Sequence, residues 1–469
     1  MNPTSPHLPV AIIGAGPVGL VAAAHLAAKG HPWLVFEAGN TVGSSIREWA
    51  HVRLFSPWKY LTDPIAVRLL EASGWRAPNP ERLPTGGEFL DDFVAPLASL
   101  PSISPHLRLG HRVLAVTRRG MDKVKTAGRE TAPFEIIVRE PEGGTARFLA
   151  RAVIDASGTW LSPNPLGAGG VPAVGEAEHR SRIRYGIPDI LDRERDRYAG
   201  RRTLVVGSGH SAFNALLDLA VAATQAPGTE IVWAVRRSEV GLLFGGGRKD
   251  ALEARGALGT RLRRLVTSQA IEFVTDFRIA RIHGDGDRVV AEGDDGRRLE
   301  GLDQLIAATG FRPELALTRE LRLRLDPWLE APEALAPLID PNLHSCGTVY
   351  PHGEAELAHP ERDFYVAGMK SYGRAPTFLL LTGYEQVRSV VSRLVGDEAG
   401  ARRVELVLPE TGVCRTDLAG GSCCSGEDAD EEPAPAGVER SPTAGGCGCG
   451  TAPPAARLLP TISMEKCCG

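Results

Sequence analysis

The stretch Val10-Ala-Ile-Ile-Gly-Ala-Gly-Pro-Val-Gly-Leu20 decides the fold of this chain. Its first four residues are apolar and predict a buried parallel strand, and the alanine-rich run at 21–29 predicts a helix. Between them, Gly14, Gly16 and Gly19 form the pattern G-x-G-x-x-G. In dinucleotide-binding folds these glycines serve a tight turn, close approach of a pyrophosphate, and close packing of helix on strand. The helix N-terminus would then present free N–H groups to that pyrophosphate.

A second apolar strand, predicted at 33–36, ends in Glu37. A carboxylate about twenty positions after the glycine pattern suits a ribose 2′-hydroxyl, which needs a hydrogen-bond acceptor. The order strand, glycine-rich turn, helix, strand, acid therefore predicts a dinucleotide-binding unit. The alternative interpretation is a glycine-rich turn that binds no ligand.

Composition narrows the class of protein. The chain has 469 residues, of which 43% are hydrophobic and 23% charged, as in ordinary globular proteins with two or three domains. A net charge of −4 gives no reason to expect a nucleic acid or an anionic membrane as partner. The sequence contains neither a run of eighteen apolar residues nor a basic segment before the first apolar stretch. We therefore expect neither a transmembrane helix nor a signal peptide, and a cytoplasmic location.

A second glycine-rich turn lies near the middle of the chain. The predicted strand at 202–206 is followed by Gly207-Ser-Gly209-His-Ser211, and an alanine then takes the place of the third glycine, where only close packing is required. The next predicted strand ends in Arg236 and Arg237 rather than in an acid. A guanidinium pair suits a 2′-phosphate, so this unit is predicted to bind NADPH. The alternative is that both arginines are solvated surface charges.

After Glu37 the chain resembles flavin-containing monooxygenases, which are two-dinucleotide-binding flavoproteins. In them the acid is followed six positions later by two glycines and then a tryptophan; here Gly43, Ser44 and Trp49 correspond. The resemblance implies FAD at the first turn, with the backbone of Val113 against the adenine. It also implies that Ala-Thr-Gly310 closes the NADP-binding domain and returns the chain to the FAD-binding domain.

Two positions depart from the pattern of this family. His179 is the counterpart of the histidine in the segment that joins the domains, where a catalytic or NADP-positioning role competes with a surface position among arginines. Met369 follows Gly368 where many relatives have an aspartate that holds the ribityl chain of FAD. That contact must therefore come from another residue.

The C-terminal segment differs in composition from the rest of the chain, because it is rich in proline and glycine and poor in aromatic residues. We therefore expect it to be disordered. It contains close thiol pairs, which suit a soft metal or metalloid better than zinc. It resembles the vicinal cysteines of mercuric reductases and the flavin monooxygenase-like proteins of arsenic-resistance clusters. A redox-inert or regulatory tail is the alternative. The candidate ligands are Cys423, Cys424, Cys447, Cys449, Cys467 and Cys468.

The predicted fold is α/β, with two Rossmann-like domains for FAD and NADPH and a disordered tail. The expected division is an FAD-binding domain at 8–165, a linker at 166–200, an NADP-binding domain at 201–330, a return segment at 331–400 and the tail at 405–469.

Cys346 is the sole cysteine among the first 413 residues, so a thioredoxin-reductase mechanism with an internal Cys pair is excluded. The resemblance implies instead a monooxygenase that uses O₂, a flavin C4a-(hydro)peroxide and a small-molecule substrate. Two alternatives stay open. One is an NADPH-dependent reductase of a thiol-bound metal or metalloid, and the other is a thiol-rich metalloid-binding protein with a vestigial flavin domain.

Overall fold

The computed structural model describes residues 8–238, 244, 253–344, 351–376 and 378–406. Its strands are β1 (Val10–Ile13), β2 (Trp33–Phe36), β3 (Leu107–Arg108), β4 (Arg112–Arg118), β5 (Phe134–Arg139), β6 (Thr145–Ala150), β7 (Ala152–Asp155), β8 (Ile183–Tyr185), β9 (Arg202–Val206), β10 (Glu230–Ala234), β11 (Glu272–Val274), β12 (Ile279–Asp285), β13 (Arg288–Gly293), β14 (Arg298–Leu302), β15 (Gln304–Ala307) and β16 (Phe364–Val366).

The α-helices are mostly short, and three of them exceed twelve residues. They are α1 (Pro17–Ala28), α2 (Ser44–Arg47), α3 (Pro64–Glu71), α4 (Gly86–Phe89), α5 (Ala95–Ser99), α6 (Arg195–Tyr198), α7 (His210–Gln225), α8 (Glu253–Thr267), α9 (Ala336–Ile339), α10 (Glu354–Leu357), α11 (Leu380–Leu394) and α12 (Glu398–Arg402).

The first sheet is parallel and has the strand order β16-β7-β1-β2-β3. All four residues of β1 are buried, because helix α1 covers one face of the sheet and the antiparallel strands β4, β5 and β6 cover the other. Helix α1 connects β1 to β2 and is buried nearly all round, because small residues such as Ala22, Ala23 and Ala24 let its neighbours approach closely. The last strand, β16, follows the second sheet in the chain and pairs with β7, so the chain returns to the first sheet.

The second sheet repeats this arrangement with the order β11-β10-β9-β15-β8, again parallel. Helix α7 connects β9 to β10 as α1 connects β1 to β2. The edge strand β8 lies within the segment 166–200, so part of the predicted linker belongs to the second sheet. Its proline and glycine content concealed a strand of three residues.

Two three-stranded antiparallel sheets complete the architecture, β4-β5-β6 and β12-β13-β14. At the start of α4, the Thr85 hydroxyl accepts the N–H of Glu88 and the Glu88 carboxylate accepts the N–H of Thr85, and together they form a capping box. Within the described ranges, no helix is long and apolar enough to cross a membrane.

A buried ion cluster ties the return segment to the first antiparallel sheet. The carboxylate of Glu361 accepts hydrogen bonds from Arg118 Nε at 2.7 Å and from Arg129 Nη2 at 2.7 Å, and all three side chains are at most 4% exposed. Burial by itself would raise the pKa of Glu361, but the hydrogen bonds from the two arginines outweigh it and lower the pKa. Since Glu361 follows Arg118 by 243 positions, this cluster holds distant parts of the chain together.

Each parallel sheet has one point where the strand order reverses direction. In the first sheet it lies between β1 and β7, and in the second between β9 and β15. Ligands of open α/β sheets bind outside the carboxyl ends of the strands at such points. Both glycine-rich turns follow strands that border these positions.

Candidate functional site

In the first glycine-rich turn, two glycines have no room for a side chain and the third has. Gly14 has a φ of +98°, and a Cβ there would lie 2.8 Å from the carbonyl oxygen of Ala156. A Cβ on Gly19 would lie 2.0 Å from the Gly14 carbonyl oxygen, whereas one on Gly16 would meet no described atom within 4 Å. The open position is the one at which the backbone has to approach a pyrophosphate.

The N-terminus of α1 is available to an anion at this turn. Gly16 is the N-cap residue, no side chain among the described residues caps the helix, and its first turn contains no acidic residue. Unpaired N–H groups and the helix dipole both favour a negative charge there. The geometry fits the pyrophosphate of a dinucleotide.

Glu37 lies beside this turn, and its carboxylate already accepts hydrogen bonds from the turn and from the loop that follows Glu37. Its carboxylate accepts the N–H of Ala15 at 2.7 Å, the N–H of Gly39 at 2.8 Å and the Ser44 hydroxyl at 2.9 Å. A carboxylate has about four acceptor positions, so one remains beyond these three donors. The ribose contact of Glu37 therefore stays a prediction, and this second role in shaping the loop was not evident from the sequence.

Three other predicted residues lie around the same loop. Gly43 is left-handed with φ +59°, and its N–H donates to Ala15 O at 3.0 Å. The ring of Trp49 packs so closely on Gly86 that a Cβ there would lie 2.6 Å from it. Val113 lies two residues after His111, whose N–H donates to Glu37 O. The structure thus brings Gly43 and Val113 to the loops around Glu37, but their contacts with FAD remain predictions.

The second turn repeats the geometry of the first. Gly207 has a φ of +136°, and a Cβ there would lie 2.2 Å from the carbonyl oxygen of Ala308. Gly209 caps α7 without a side-chain hydrogen bond, and a Cβ on it would meet no described atom within 4 Å. The buried indole of Trp233 donates from Nε1 to Gly207 O at 2.8 Å and so holds the turn in place.

The predicted phosphate ligands lie near this second turn. Ser211 is the second residue of α7, and Arg236 and Arg237 directly follow β10 and Val235. Arg236 is exposed, and its guanidinium donates to Ala168 O at 2.9 Å. The structure therefore places both arginines at the carboxyl edge of the second sheet, and contact with a 2′-phosphate stays a prediction.

Hydrogen bonds connect the two domains next to Gly310. Asn164 donates its N–H to Gly310 O at 2.9 Å, and the Thr309 hydroxyl donates to Asn164 O at 2.7 Å. Arg312 Nε donates to Asn164 Oδ1 at 2.8 Å. The turn after β15 therefore lies against the segment that leaves the first sheet, which agrees with the connecting role predicted for it.

Aromatic side chains lie between the two turns. Trp160 stacks on Phe311 with ring centroids 4.7 Å apart, and Trp49 lies 6.5 Å from Trp160. The ring of Phe55 is 5.1 Å from His210, the first residue of α7. Because Phe55 precedes the second turn by more than 150 positions, only the tertiary structure shows that a loop of the first domain lies against the second turn.

A histidine bridges the same junction. His51 Nε2 lies 3.1 Å from Pro188 O, in the segment between the domains. Burial lowers the pKa of His51, and the opposing effect of Asp189 offsets this only in part. The lowered pKa favours the neutral imidazole. The sequence offered no signal for this residue beyond its position in the loop after Trp49.

A charged group lies buried beside the first turn. Lys370 Nζ lies 2.7 Å from Asp155 Oδ2, and both side chains are 0% exposed. Lys370 Nζ also donates to the Ser157 hydroxyl at 3.1 Å, and that hydroxyl donates to Asp155 Oδ1 at 2.6 Å. A polar residue ending an apolar strand, as Asp155 does, is the signal that could have pointed to this cluster.

The remaining candidates fall elsewhere. His179 packs against Gly284 of β12, at 3.4 Å from the position of a Cβ there, on the second antiparallel sheet. Its catalytic or NADP-positioning role stays a prediction. The six tail cysteines and Cys346 lie outside the described residues. Among the residues that are described, no group of three His, Cys, Asp or Glu side chains could hold a metal ion.

The chain was compared with known families and relatives. A family model described as pyridine nucleotide-disulphide oxidoreductase matches residues 8–359. The indole-3-pyruvate monooxygenase YUCCA1 of Oryza sativa subsp. japonica is 30% identical over 217 residues, which are 44% of this chain and 44% of that protein. The match thus spans less than half of the length of this curated relative.

Solved structures share the fold. The bacillithiol disulfide reductase of Bacillus cereus is 18% identical with a TM-score of 0.60, over 82% of this chain and 99% of that one. The ornithine N-hydroxylase of Kutzneria sp. 744, solved with reduced FAD, NADP⁺ and L-ornithine, is 17% identical with a TM-score of 0.55, over 83% and 100%. These likenesses confirm the predicted α/β fold with two dinucleotide-binding domains.

Proposed function

Because the chain belongs to the pyridine nucleotide-disulphide oxidoreductase family, we propose that it is an NADPH-dependent flavoprotein monooxygenase acting on a small molecule with O₂. The predictions of an oxidoreductase, of its resemblance to flavin monooxygenases, and of FAD and a nicotinamide dinucleotide as cofactors are confirmed at the level of this class. The monooxygenase reaction and the use of NADPH rather than NADH are our proposal.

The observation that carries the proposal is that the chain has two open glycine turns, with a loop of the first domain against the second turn, and one cysteine in its first 413 residues. The Phe55–His210 contact and the Asn164–Gly310 hydrogen bond place the second turn against the first domain. A reductase that uses an internal disulfide needs two cysteines beside the flavin, and the first 413 residues have Cys346 alone. The scarcity of cysteines therefore favours reduction of the flavin followed by reaction with O₂.

When bound, FAD supplies hydride acceptance and reaction with oxygen, and the chain supplies binding and exclusion of water. Gly16 and Gly209 leave room for the two pyrophosphates at the N-termini of α1 and α7. The half-buried rings of Trp49, Trp160 and Phe311 line the junction and limit the access of water.

Two spectroscopic measurements test this function. We expect the FAD-loaded protein to lose its visible flavin absorbance on anaerobic addition of NADPH, and more slowly with NADH. On mixing the reduced protein with O₂, we expect a delay before H₂O₂ appears. The reason is that the site keeps water away from the product that reduced flavin would first form with O₂. Immediate stoichiometric release of H₂O₂ would contradict the monooxygenase and favour an oxidase.

A variant without the candidate tail thiols distinguishes the monooxygenase from the reductase alternative. If the six candidate cysteines of the tail are replaced by serine, any NADPH-dependent reduction of a disulfide or of a thiol-bound metal that uses these thiols is lost. The monooxygenase proposal expects NADPH oxidation by this variant to equal that of the natural chain. A loss of NADPH oxidation in the variant would support the reductase.

We propose as a separate function that the tail captures a soft metal or metalloid. Its support is the spacing of three thiol pairs, Cys423-Cys424, Cys447-Gly-Cys449 and Cys467-Cys468, since thiolates prefer soft ions. Titration with trivalent arsenic or Hg(II) should give a higher stoichiometry for the natural chain than for the variant with six serines. Equal stoichiometry would refute this function and leave the flavoprotein proposal intact.

A further inference from the structure

The cluster formed by Asp155, Ser157 and Lys370 is not required by the fold. The two sheets repeat each other, so Asp155, which pairs with Ile13 just before the first turn, corresponds to Ala307, which pairs with Val206 just before the second. The second site forms the same turn without a charge at this position. Burying an ion pair costs more than burying apolar residues of similar size, so stability alone does not explain the cluster.

Ser157 connects this buried pair to the first turn. Its backbone borders the first turn, because a Cβ on Gly14 would lie 2.9 Å from Ser157 Cα. Ser157 is exposed, whereas Asp155 and Lys370 are fully buried. The serine hydroxyl is therefore the part of the cluster that a bound ligand can reach.

The hydrogen bonds decide whether this hydroxyl can donate to a ligand or accept from it. Its proton is donated to Asp155 Oδ1 at 2.6 Å, and one lone pair accepts from Lys370 Nζ at 3.1 Å. A serine hydroxyl has one proton and two lone pairs, so what it can still offer a ligand is an acceptor. Such an oxygen attracts a hydroxyl group and disfavours phosphate oxygens, which have no proton to donate.

The strand order decides which part of FAD passes this point. With the pyrophosphate at α1 and the adenosine toward Glu37 after β2, the other half of the molecule must extend toward β7 and β16. Next to the pyrophosphate, that half consists of the ribityl chain with its hydroxyl groups. We propose that Ser157 accepts a hydrogen bond from a ribityl hydroxyl of FAD, and that Asp155 and Lys370 are positioning residues that hold the serine as an acceptor.

This inference rests on the proposed binding of FAD at the first turn, and it is tested by affinity rather than by turnover. Apoprotein is titrated with FAD, and separately with ADP, which lacks the ribityl chain. For Ser157→Ala we expect the Kd for FAD to rise about fivefold, the worth of one hydrogen bond, while the Kd for ADP stays unchanged. Ser157→Thr keeps the hydroxyl and should bind FAD within about twofold of the natural chain.

Control variants separate positioning from folding. Ser73→Ala removes another exposed serine hydroxyl, on the chain just after α3, and should change neither affinity. Lys370→Met should weaken FAD binding, and adding Ser157→Ala should weaken it no further, because both changes remove the same contact. If Lys370→Met does not fold, Ser157→Ala by itself decides the question, since an exposed substitution leaves the melting temperature within about 2 °C.

The outcomes are distinct. An unchanged Kd for FAD in Ser157→Ala, or an equal rise in the Kd for ADP, would overturn the inference and leave FAD binding established. Failure of the natural chain itself to bind FAD would overturn the proposed function, and this inference with it.

Discussion

Two glycines of the same turn should respond in opposite ways to the same substitution. Gly16→Ala adds a methyl group where no described atom lies within 4 Å, and the backbone of Gly16 (φ −78°, ψ −179°) is open to alanine. We expect the free energy of unfolding to change by about 1 kcal/mol or less, the usual cost of alanine at an N-cap. FAD binding should weaken about ten- to hundredfold, because the methyl group displaces a charged phosphate from the helix N–H groups.

Gly19→Ala places its methyl group 2.0 Å from the carbonyl oxygen of Gly14. That overlap exceeds 1 Å and involves backbone, so it should cost about 3 kcal/mol, which outweighs the gain of about 1 kcal/mol in helix propensity. The melting temperature of the apoprotein should fall by several degrees, by about 4–8 °C for a net loss of about 2 kcal/mol in a domain of this size.

Thermal unfolding followed by circular dichroism and titration with FAD measure the two effects separately. Normal stability with unchanged FAD affinity in Gly16→Ala would refute the placement of the pyrophosphate at this turn. An unchanged melting temperature in Gly19→Ala would refute the close contact between helix and strand.

Three further predictions concern other parts of the molecule. Replacing Arg236 and Arg237 together by alanine should raise the KM for NADPH about tenfold and leave that for NADH unchanged; parallel rises would show that the pair does not bind the 2′-phosphate. Glu361→Gln removes a charge that two buried arginines need and should lower the free energy of unfolding in urea by about 3–5 kcal/mol. The exposed control Glu398→Gln should change it by less than about 0.5 kcal/mol. Because the folded-state pKa of Glu361 is lowered, its stabilisation is present above its ordinary pKa of 4.5 and is lost as the pH falls through the folded value. Urea unfolding at a series of acidic pH values should thus show a smaller pH dependence for Glu361→Gln than for the natural chain.

Local pattern was sufficient for much of the fold. The strand at Val10–Ile13 and that at Trp33–Phe36 coincide with the predicted ones, because short apolar runs bounded by turn-forming or polar residues form buried parallel strands. Strand β8 was missed, since three residues among prolines and glycines carry no periodicity, and only pairing with β15 makes them a strand.

The sequence by itself determined the two glycine-rich turns, their order and the absence of an internal cysteine pair in the first 413 residues. These follow from residue type and short spacing, which act within one turn of the chain. The tertiary structure decided that Phe55 meets His210 and that Lys370 pairs with Asp155 across 215 positions. It also decided that the Glu37 carboxylate accepts hydrogen bonds from neighbouring backbone and from Ser44. Such contacts depend on how the strands are ordered in the sheet, and no local pattern records that order.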